Sequence, residues 1–462
     1  MGRLFGTDGI RAVAGEYPLD PSTLFKLGRA LVRLGLRRVV IGRDTRASGV
    51  WIQRVLERAI RAEGGEPDLV GVISTPGVSF LSRSQPFDAG LVVSASHNPY
   101  HDNGIKIFSH EGLKLSDRKE DEIEQLLAED SEVYRMPAST FTDWESELST
   151  FEESQISRYV EFLKQVSGRS LSPLRVVIDC ANGAGFHIGP RVFTELGAEV
   201  VPMNVSPDGH NINLLSGALH PQFLMRRTSE ARASLGIALD GDCDRVILSD
   251  EEGCLVDGDH MLLMLGRYFK QRGLLNSGCV VTTVMANMGL EIALGNHGLR
   301  MVRTKVGDRY VLEEMLRSGH FLGGEQSGHV IIRQHTVAGD GILTALVIAR
   351  MLLEEGKPLS EFRKQLKKFP QVILAVQVRE KRDFLTIESI ASRIREVERR
   401  LGDKGRVLVR YSGTEPLVRI MVEGENEEEI TRYAEAIGES FRAELGGEPA
   451  ISRTSRGNAD TR

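Results

Sequence analysis

Short apolar runs that end in glycine or polar loops occur three times in the first two thirds of the chain. They are RRVVIG, RVVIDCANG and GCVVTTVMANMG, at 37–42, 175–183 and 278–289. Stretches such as 52–61 and 192–196, with helical spacing of apolar residues, lie between them. Apolar strands that alternate with amphipathic helices are typical of buried, mainly parallel sheets. We therefore predict an α/β fold of three related units with mixed, mainly parallel sheets, whose ligands bind at the carboxyl ends of the strands.

Changes in composition predict where these units end. The sequence turns acidic and polar before residue 150, and a helix from about Glu153 is expected to open the second unit. Turn residues at 251–258 precede a third unit, and the strand-like VILAVQV at 372–378 opens a smaller α+β unit. Polar residues dominate the end of the chain, which we expect to be disordered. The predicted domains are 1–150, 151–255, 256–367 and 368–446, with a disordered tail at 447–462.

Net charge, cysteine spacing and the lengths of the apolar runs limit which classes of function the sequence supports. A formal net charge of −6 disfavours nonspecific binding to nucleic acid or to anionic membranes. The four cysteines show no CxxC spacing, and no apolar run approaches the ~20 residues that span a bilayer. We expect a cytoplasmic protein whose partner is a small molecule, with no nucleic acid and no membrane as partners.

The segment SASHNP, at 94–99, carries the first candidate chemistry. It follows the strand-like GLVV, so we expect Ser96 to be exposed at a strand end. An isolated S-x-x-P would be a turn, but His97 beside it and Lys106 soon after it favour a reactive serine. No G-x-S-x-G elbow surrounds the serine, so acyl transfer has little support and phosphoryl transfer remains open.

Alternating carboxylates form the second candidate site, at Asp240, Asp242 and Asp244 between two apolar runs. Three carboxylates this close repel one another unless a cation neutralises them, which favours a metal site over an acidic hairpin turn. An EF-hand is the competing metal site, and Glu251 falls at its twelfth position. However, Arg245 stands where that loop needs glycine. Oxygen ligands and a phosphate substrate suit Mg²⁺.

Three further segments have weaker signals. The DGD at 257–259 precedes a helix-like run and is interpreted as a helix cap. GGEQSGH at 323–329 offers a carboxylate, a hydroxyl and an imidazole that could bind sugar hydroxyls. RYSGTEP at 410–416, followed by Arg419, could bind a phosphate dianion. Taken alone, that last segment is equally compatible with a strand, a turn and a surface arginine.

Together these segments resemble the α-D-phosphohexomutase superfamily, whose members carry S-H-N-P, D-G-D-x-D-R, G-E-x-S-G-H and S-G-T-E-P in this order. The resemblance begins at FGTDGIR, 5–11, and extends through Arg419. It implies four domains around a central cleft. Gln326 in GEQSGH resembles the bacterial branch that interconverts glucosamine 6-phosphate and glucosamine 1-phosphate on the way to UDP-N-acetylglucosamine. A phosphomannomutase or phosphoglucomutase is the alternative, and a non-catalytic sugar-phosphate sensor is a weaker one.

The resemblance also implies a mechanism. Phosphoserine 96 donates its phosphoryl group to a sugar phosphate, and a hexose 1,6-bisphosphate is both intermediate and activator. One Mg²⁺ per chain is held by the three aspartates and by an oxygen of the phosphoserine. The sequence leaves open which of His97, Lys106 and His329 moves the proton, and whether the chain is a monomer or a homodimer. The implied catalytic residues are Ser96, Arg11, His97, Lys106 and His329. The implied substrate-binding residues are Arg245, Glu325, Ser327, Arg410, Ser412, Gly413, Thr414 and Arg419.

Overall fold

The computed structural model describes residues 4–6, 8–136, 144–412, 416–446 and 453–455. The chain forms two compact units. The first unit comprises Met1–Met285 and Gly298–Lys364, and the second comprises Ala286–His297 and Gln365–Arg462. None of the helices in the described part of the chain is both long and apolar enough to cross a membrane.

Three sheets make up the framework of the first unit. Their strands are β1 Ile10–Val13, β2 Arg38–Arg43, β3 Glu66–Val72, β4 Ala89–Val93, β5 Asp102–Ser109, β6 Arg175–Asp179, β7 Glu199–Met203, β8 Leu235–Leu239, β9 Val246–Ser249, β10 Leu255–Val256, β11 Cys279–Thr283, β12 Arg300–Thr304, β13 Leu322–Gly324 and β14 Val330–Ile332. The strand orders are β1-β5-β4-β2-β3, β10-β9-β8-β6-β7 and β12-β11-β13-β14.

The same pairing pattern is present in all three sheets. A central strand, β2, β6 or β11, is parallel to both of its neighbours. The last parallel strand, β4, β8 or β13, then pairs with an antiparallel return strand, β5, β9 or β14. The predicted α/β units with mixed, mainly parallel sheets are therefore confirmed. In each sheet the connection into the return strand carries one of the predicted motifs, around Ser96, Asp240 and Glu325.

The helices include those that the sequence predicts at Glu153 and after the DGD at 257–259. They are α1 Pro21–Arg33, α2 Ala47–Ala62, α3 Thr75–Ser84, α4 Asp117–Glu129, α5 Trp144–Glu147, α6 Glu153–Ser167, α7 Ile188–Glu195, α8 Gln222–Glu230, α9 Gly258–Gln271, α10 Met288–Asn296, α11 Asp308–Ser318, α12 Gly341–Glu355, α13 Leu359–Arg363, α14 Glu388–Leu401 and α15 Glu427–Leu445. The helix expected from Glu153 is confirmed as α6. Asp257 caps α9 and forms a capping box with His260, as the cap interpretation of DGD predicted.

Strands and helices of the first unit bury their apolar faces as the sequence pattern predicts. Every residue of β4 and of β8 is buried, which is typical of strands covered on both faces. Leu24, Leu27 and Leu31 of α1 pack in a large apolar cluster with residues of α2. The sheets are therefore held rigidly, and loops at their strand ends can be positioned with precision.

The second unit contains one antiparallel sheet, ordered β16-β17-β15-β18. Its strands are β15 Gln371–Gln377, β16 Gly405–Tyr411, β17 Leu417–Gly424 and β18 Arg453–Ser455. The helices α14 and α15 pack on it, in agreement with the α+β prediction. α10 belongs to this unit, where the Met288 N–H donates to Glu423 Oε1 over 2.9 Å.

Part of the tail that the sequence predicts to be disordered, 447–462, forms a strand of the second unit. β18 pairs with β15, so the prediction of disorder is wrong at Arg453–Ser455. Its backbone groups extend the edge of the sheet, a contact that composition does not reveal. The remainder of the predicted tail, at 447–452 and 456–462, lies outside the described residues, as do Gly413 and Thr414. The predicted domain borders remain predictions.

Candidate active site

Ser96 lies in the connection between β4 and β5, in a strained conformation. Its φ is +52°, in the left-handed region that non-glycine residues rarely adopt. The residue is 1% exposed, so the expectation of an exposed serine is wrong. The side chain is buried because the metal loop, 240–245, covers it, and the Ser96 hydroxyl donates to Asp240 Oδ2 over 2.6 Å.

Hydrogen bonds to two carbonyl groups hold this strained loop. Arg46 donates to the carbonyl oxygens of Ser96 and Asn98 over 3.2 and 2.5 Å. The Asn213 amide donates to the same two oxygens over 2.9 and 3.1 Å. The Ser96 N–H donates to Ser94 Oγ over 2.9 Å. Sequence reasoning missed Arg46 and Asn213. Arg46 had a signal, since it follows the apolar strand β2, whereas Asn213 had none.

The predicted metal ligands converge. One oxygen each from Asp240, Asp242 and Asp244 lies within 4.8 Å of the others. The loop connects two antiparallel strands, β8 and β9, which excludes the helix-flanked EF-hand. Gly241 is required here, because a Cβ at this position would lie 2.5 Å from the Ser96 carbonyl oxygen. The glycine therefore lets the metal loop approach the serine.

These carboxylates fit a hard cation. Asp242 Oδ1 and Asp244 Oδ1 are buried, and neither has a hydrogen-bond partner among the described residues. Buried oxygens of this kind are rarely left unsatisfied in native proteins. Burial, together with the charges of Asp244 and Asp242, raises the pKa of Asp240 well above its usual range. A divalent cation would neutralise the repulsion among the three carboxylates and would coordinate the unsatisfied oxygens. Mg²⁺ prefers such oxygen ligands.

Lys106 connects the serine loop with the metal loop. Its Nζ lies 2.8 Å from Asp242 Oδ2, 3.0 Å from Asp244 Oδ2 and 3.3 Å from Asp8 Oδ2. Burial alone would lower the pKa of Lys106, but these three carboxylates raise it well above its usual range. Arg11 forms an ion pair with Asp8 and donates to Asn98 Oδ1 over 3.2 Å. Sequence reasoning missed Asp8, although it lies within the segment FGTDGIR.

The surroundings shift the pKa values of the two candidate histidines in opposite directions. Burial, with the cations Arg245 and Arg11 nearby, lowers the pKa of His97 to about 4. His97 is therefore neutral near pH 7, and its Nδ1 lies 3.4 Å from Ser96 Oγ. Burial also disfavours charge on His329, but Asp244 and neighbouring carboxylates raise its pKa. A hydrogen bond from the Gly339 N–H to His329 Nε2 directs the other ring nitrogen toward Asp244.

The sugar loop, 325–329, connects β13 with β14 in the third sheet. The Glu325 N–H donates to the His329 carbonyl over 2.8 Å, and the Gly307 N–H donates to Glu325 Oε1 over 3.2 Å. Burial raises the pKa of Glu325, although His329 and Arg245 oppose this. The loop rests on the start of β9, where a Cβ at Gly328 would lie 1.9 Å from the Val246 carbonyl oxygen. Ser327 is half-buried in the same loop.

Arg245 follows the three aspartates directly. Its backbone N–H donates to Asp240 Oδ1 over 3.1 Å, and its guanidinium Nε lies 3.9 Å from Asp244 Oδ1. Burial disfavours the cation, but Asp244 and Asp240 raise the pKa of Arg245 above its usual value. The first unit thus brings Ser96, the aspartates and Lys106 together, with Arg245, His97 and His329 close by.

The predicted phosphate-binding residues are partly described in the second unit. Arg410 and Arg419 face each other across the β16–β17 pair. Burial and the charge of Arg419 both lower the pKa of Arg410. Ser412 is buried, and its N–H donates to the Leu417 carbonyl over 2.8 Å. Two neighbouring guanidinium groups favour an anionic ligand.

Comparison with known proteins agrees with this geometry. Four models of phosphoglucomutase/phosphomannomutase domains match the chain. They are α/β/α domains I, II and III, at residues 2–134, 157–253 and 257–369, and the C-terminal domain, at 373–440. Phosphoglucosamine mutases of Solibacter usitatus and of an Anaeromyxobacter species are each 46% identical to this chain. Both alignments cover 96% of the chain, and they cover 99% and 96% of the two relatives.

Solved structures share the fold. A phosphoglucomutase/phosphomannomutase family protein from Burkholderia thailandensis superposes with a TM-score of 0.78 at 22% identity, covering 97% of this chain and 99% of that one. The N-acetylphosphoglucosamine mutase of Aspergillus fumigatus, solved with GlcNAc-6P and magnesium, superposes with a TM-score of 0.65 at 18% identity. That match covers 95% of this chain and 96% of the fungal one. Since the domain matches follow one another along nearly all of the sequence, the chain belongs to the phosphoglucomutase/phosphomannomutase family.

Proposed function

We propose that this chain is an intramolecular phosphotransferase that interconverts glucosamine 6-phosphate and glucosamine 1-phosphate. The observation that carries the proposal is the Ser96 hydroxyl, 2.6 Å from Asp240 in a cluster of three buried carboxylates. The relatives at 46% identity, which are named phosphoglucosamine mutases, support the choice of sugar. This reaction supplies glucosamine 1-phosphate for UDP-N-acetylglucosamine synthesis.

Phosphoryl transfer proceeds in two steps. The bond between phosphorus and Ser96 Oγ breaks while a bond forms between phosphorus and the free sugar hydroxyl oxygen, whose proton passes to a base. The resulting hexose 1,6-bisphosphate turns over. The bond between its other phosphorus and the sugar oxygen then breaks while that phosphorus bonds to Ser96 Oγ, and the sugar oxygen takes the proton back from the base. An added hexose 1,6-bisphosphate would phosphorylate Ser96 in the same way and so activate the enzyme.

Positioning and charge neutralisation account for most catalysis of this kind. Mg²⁺ held by Asp240, Asp242 and Asp244 would neutralise charge on the transferred phosphoryl oxygens. Lys106 and Arg11 supply further positive charge beside the serine. Neutral His97 can accept a proton near pH 7 without first losing one, whereas the raised pKa of Lys106 favours its protonated form.

Sugar and phosphate recognition use separate residues. Glu325 and Ser327 would bind the sugar hydroxyls in either orientation of the bisphosphate, and Arg245 would contact the substrate beside them. In the second unit, Arg410 and Arg419 would bind the phosphate that is not transferred. That phosphate site would be completed by Ser412 and its neighbours Gly413 and Thr414.

A coupled assay tests this proposal. Wild type, Ser96→Ala and the control Ser82→Ala receive glucosamine, glucose and mannose phosphates with Mg²⁺ and a trace of hexose 1,6-bisphosphate. Ser82 is a matched control because it is a buried serine that bonds only within α3 among the hydrogen bonds described. We expect wild type and Ser82→Ala to prefer glucosamine phosphate, and Ser96→Ala to be inactive. Preference for glucose or mannose phosphate would contradict the proposed substrate, and no wild-type turnover would favour a non-catalytic sensor.

A further inference from the structure

Asp308 is a carboxylate of the first unit to which the mechanism above gives no role. It is the first residue of α11 and follows Gly307, whose φ is +132°. The carboxylate borders a cavity of about 190 Å³ that Asp244 and His329 also line. Its side chain is 18% exposed, compared with 7% for Asp244. A ligand that enters this cavity can therefore reach Asp308.

The surroundings of Asp308 place it between two functional loops. Its Oδ2 lies 2.6 Å from Lys114 Nζ and 3.8 Å from His329 Nε2. Its neighbour Gly307 donates a hydrogen bond to Glu325, the predicted sugar-binding carboxylate. Asp308 thus adjoins the sugar loop without being part of it.

Asp308 retains the capacity to accept further hydrogen bonds. A carboxylate has about four lone-pair sites. In Asp308, Oδ1 accepts the Arg309 N–H over 2.8 Å and Oδ2 accepts from Lys114. Lys114 is shared, since its Nζ also lies 2.6 Å from Asp8 Oδ1. Asp8 is also paired with Arg11 and Lys106. Asp308 has the shared ammonium and, 3.8 Å away, the His329 ring, so its remaining lone pairs could accept from a further cation.

The candidate substrates differ in whether one position of the sugar carries an amine or a hydroxyl. Glucosamine phosphate carries an amine, which is cationic when protonated, where glucose and mannose phosphates carry a hydroxyl. An ammonium forms a stronger, charge-assisted hydrogen bond to a carboxylate than a hydroxyl does. The other carboxylates near the site have assigned roles or are each held by several cations. The three aspartates would hold the metal, Asp8 faces Lys106 and Lys114, and Glu325 is assigned to hydroxyls.

We propose that Asp308 binds the protonated amine of the amino-sugar phosphate and thereby determines the preference for glucosamine over glucose and mannose phosphates. This inference rests on the proposed function, which it deepens. Asp308 acts on substrate choice and takes no part in the transfer of the phosphoryl group.

The test compares kcat/KM for glucosamine 6-phosphate with kcat/KM for glucose 6-phosphate in wild type and Asp308→Asn. The asparagine keeps the shape and one acceptor oxygen but removes the charge. We expect the ratio of the two values to fall at least about tenfold, with glucose phosphate turnover largely retained. Lys114→Gln is the matched control, because it removes the same ion pair and leaves the carboxylate. It is expected to keep the preference for glucosamine phosphate.

Each outcome bears on the proposal. Equal losses on both sugars in Asp308→Asn would show that the residue is merely structural and would overturn the inference while the proposed function stands. Absence of glucosamine phosphate turnover in wild type would overturn the proposed function and this inference with it. Should Asp308→Asn fail to fold, Asp308→Ser, which is also neutral, carries the same prediction. Glu325→Gln is expected to reduce turnover of both sugars together.

Discussion

Two acidic turns that follow each other along the chain, on either side of β9, differ in what neutralises them. The metal loop contains Asp240, Asp242 and Asp244, and the second acidic turn, 250–254, contains Asp250, Glu252 and Cys254. Each brings three possible ligand atoms within 4.8 Å of one another. By spacing and composition alone, both are candidate cation sites.

The second acidic turn has its charges paired with protein cations. Arg363 Nε lies 2.6 Å from Asp250 Oδ2, and Lys364 Nζ lies 2.7 Å from Glu252 Oε1. Asp250 Oδ1 accepts the N–H groups of Glu252 and Cys254 over 3.1 and 2.7 Å. This turn therefore uses its carboxylates to attach α13 and to close a tight loop.

In the part of the chain that the structure describes, the metal loop retains buried oxygens without hydrogen-bond partners, Asp242 Oδ1 and Asp244 Oδ1. Its side chains are almost fully enclosed, whereas the Glu252 side chain is 45% exposed. Unsatisfied buried oxygens, more than a high density of acidic residues, therefore mark a cation site.

The largest expected effect is that of Asp242→Asn. The substitution removes one metal-binding charge at a residue whose Oδ2 is held by Thr75 and Lys106. We expect kcat to fall by about a thousandfold, and the binding of Mn²⁺, followed by electron paramagnetic resonance, to be lost. Full turnover in this variant would contradict the assignment of the metal loop.

Asp250→Asn should affect stability instead of turnover. It breaks the 2.6 Å ion pair with Arg363, whose guanidinium is 11% exposed and also lies 3.2 Å from Glu252 Oε2. We expect the free energy of unfolding to fall by about 3 kcal/mol, measured by urea denaturation, while kcat and Mn²⁺ binding are unchanged. A loss of metal binding here would show that the two turns are not distinct.

Addition of Mg²⁺ should stabilise the protein only through the metal loop. Metal at a hundredfold excess over its Kd stabilises a binding-competent fold by about 2.7 kcal/mol. We expect this gain in wild type and in Asp250→Asn after treatment with a chelator, and no gain in Asp242→Asn. Equal stabilisation of all three proteins would place the ion elsewhere.

The smallest effect concerns the serine that faces the metal loop. Asn213→Ala removes the amide that holds the carbonyl groups of Ser96 and Asn98. We expect kcat to fall about tenfold with little change in KM, because a strained nucleophile loses its position relative to the carboxylates. Asn211→Ala, a half-buried asparagine on the same loop, is the control and should change kcat much less.

The sequence predicts elements and motifs better than their contacts. Apolar runs identified the strands β2, β6 and β11, since a buried strand depends mainly on local pattern. The ligands Asp240, Asp242 and Asp244 were also evident, because they share one short loop. Burial of Ser96 was not predicted, since it depends on a loop from another part of the chain.

Contacts between residues far apart in the sequence were the hardest to predict from the sequence pattern. Asn213 donates to the serine loop across a separation of 117 positions, and Asp308 pairs with Lys114 across 194. β18 was missed because its pairing with β15 uses backbone groups. Such contacts arise only once the sheets are assembled, so the local pattern of one segment does not contain them.

Mass spectrometry of the intact and digested protein tests whether Ser96 carries the transferred phosphoryl group. The protein is incubated with hexose 1,6-bisphosphate and Mg²⁺, and the modified peptide is sequenced. We expect one phosphoryl group on Ser96 in wild type and in Asp250→Asn, and none in Ser96→Ala. An enzyme that turns over glucosamine phosphate while Ser96 stays unmodified, or with the phosphoryl group on another residue, would contradict the account.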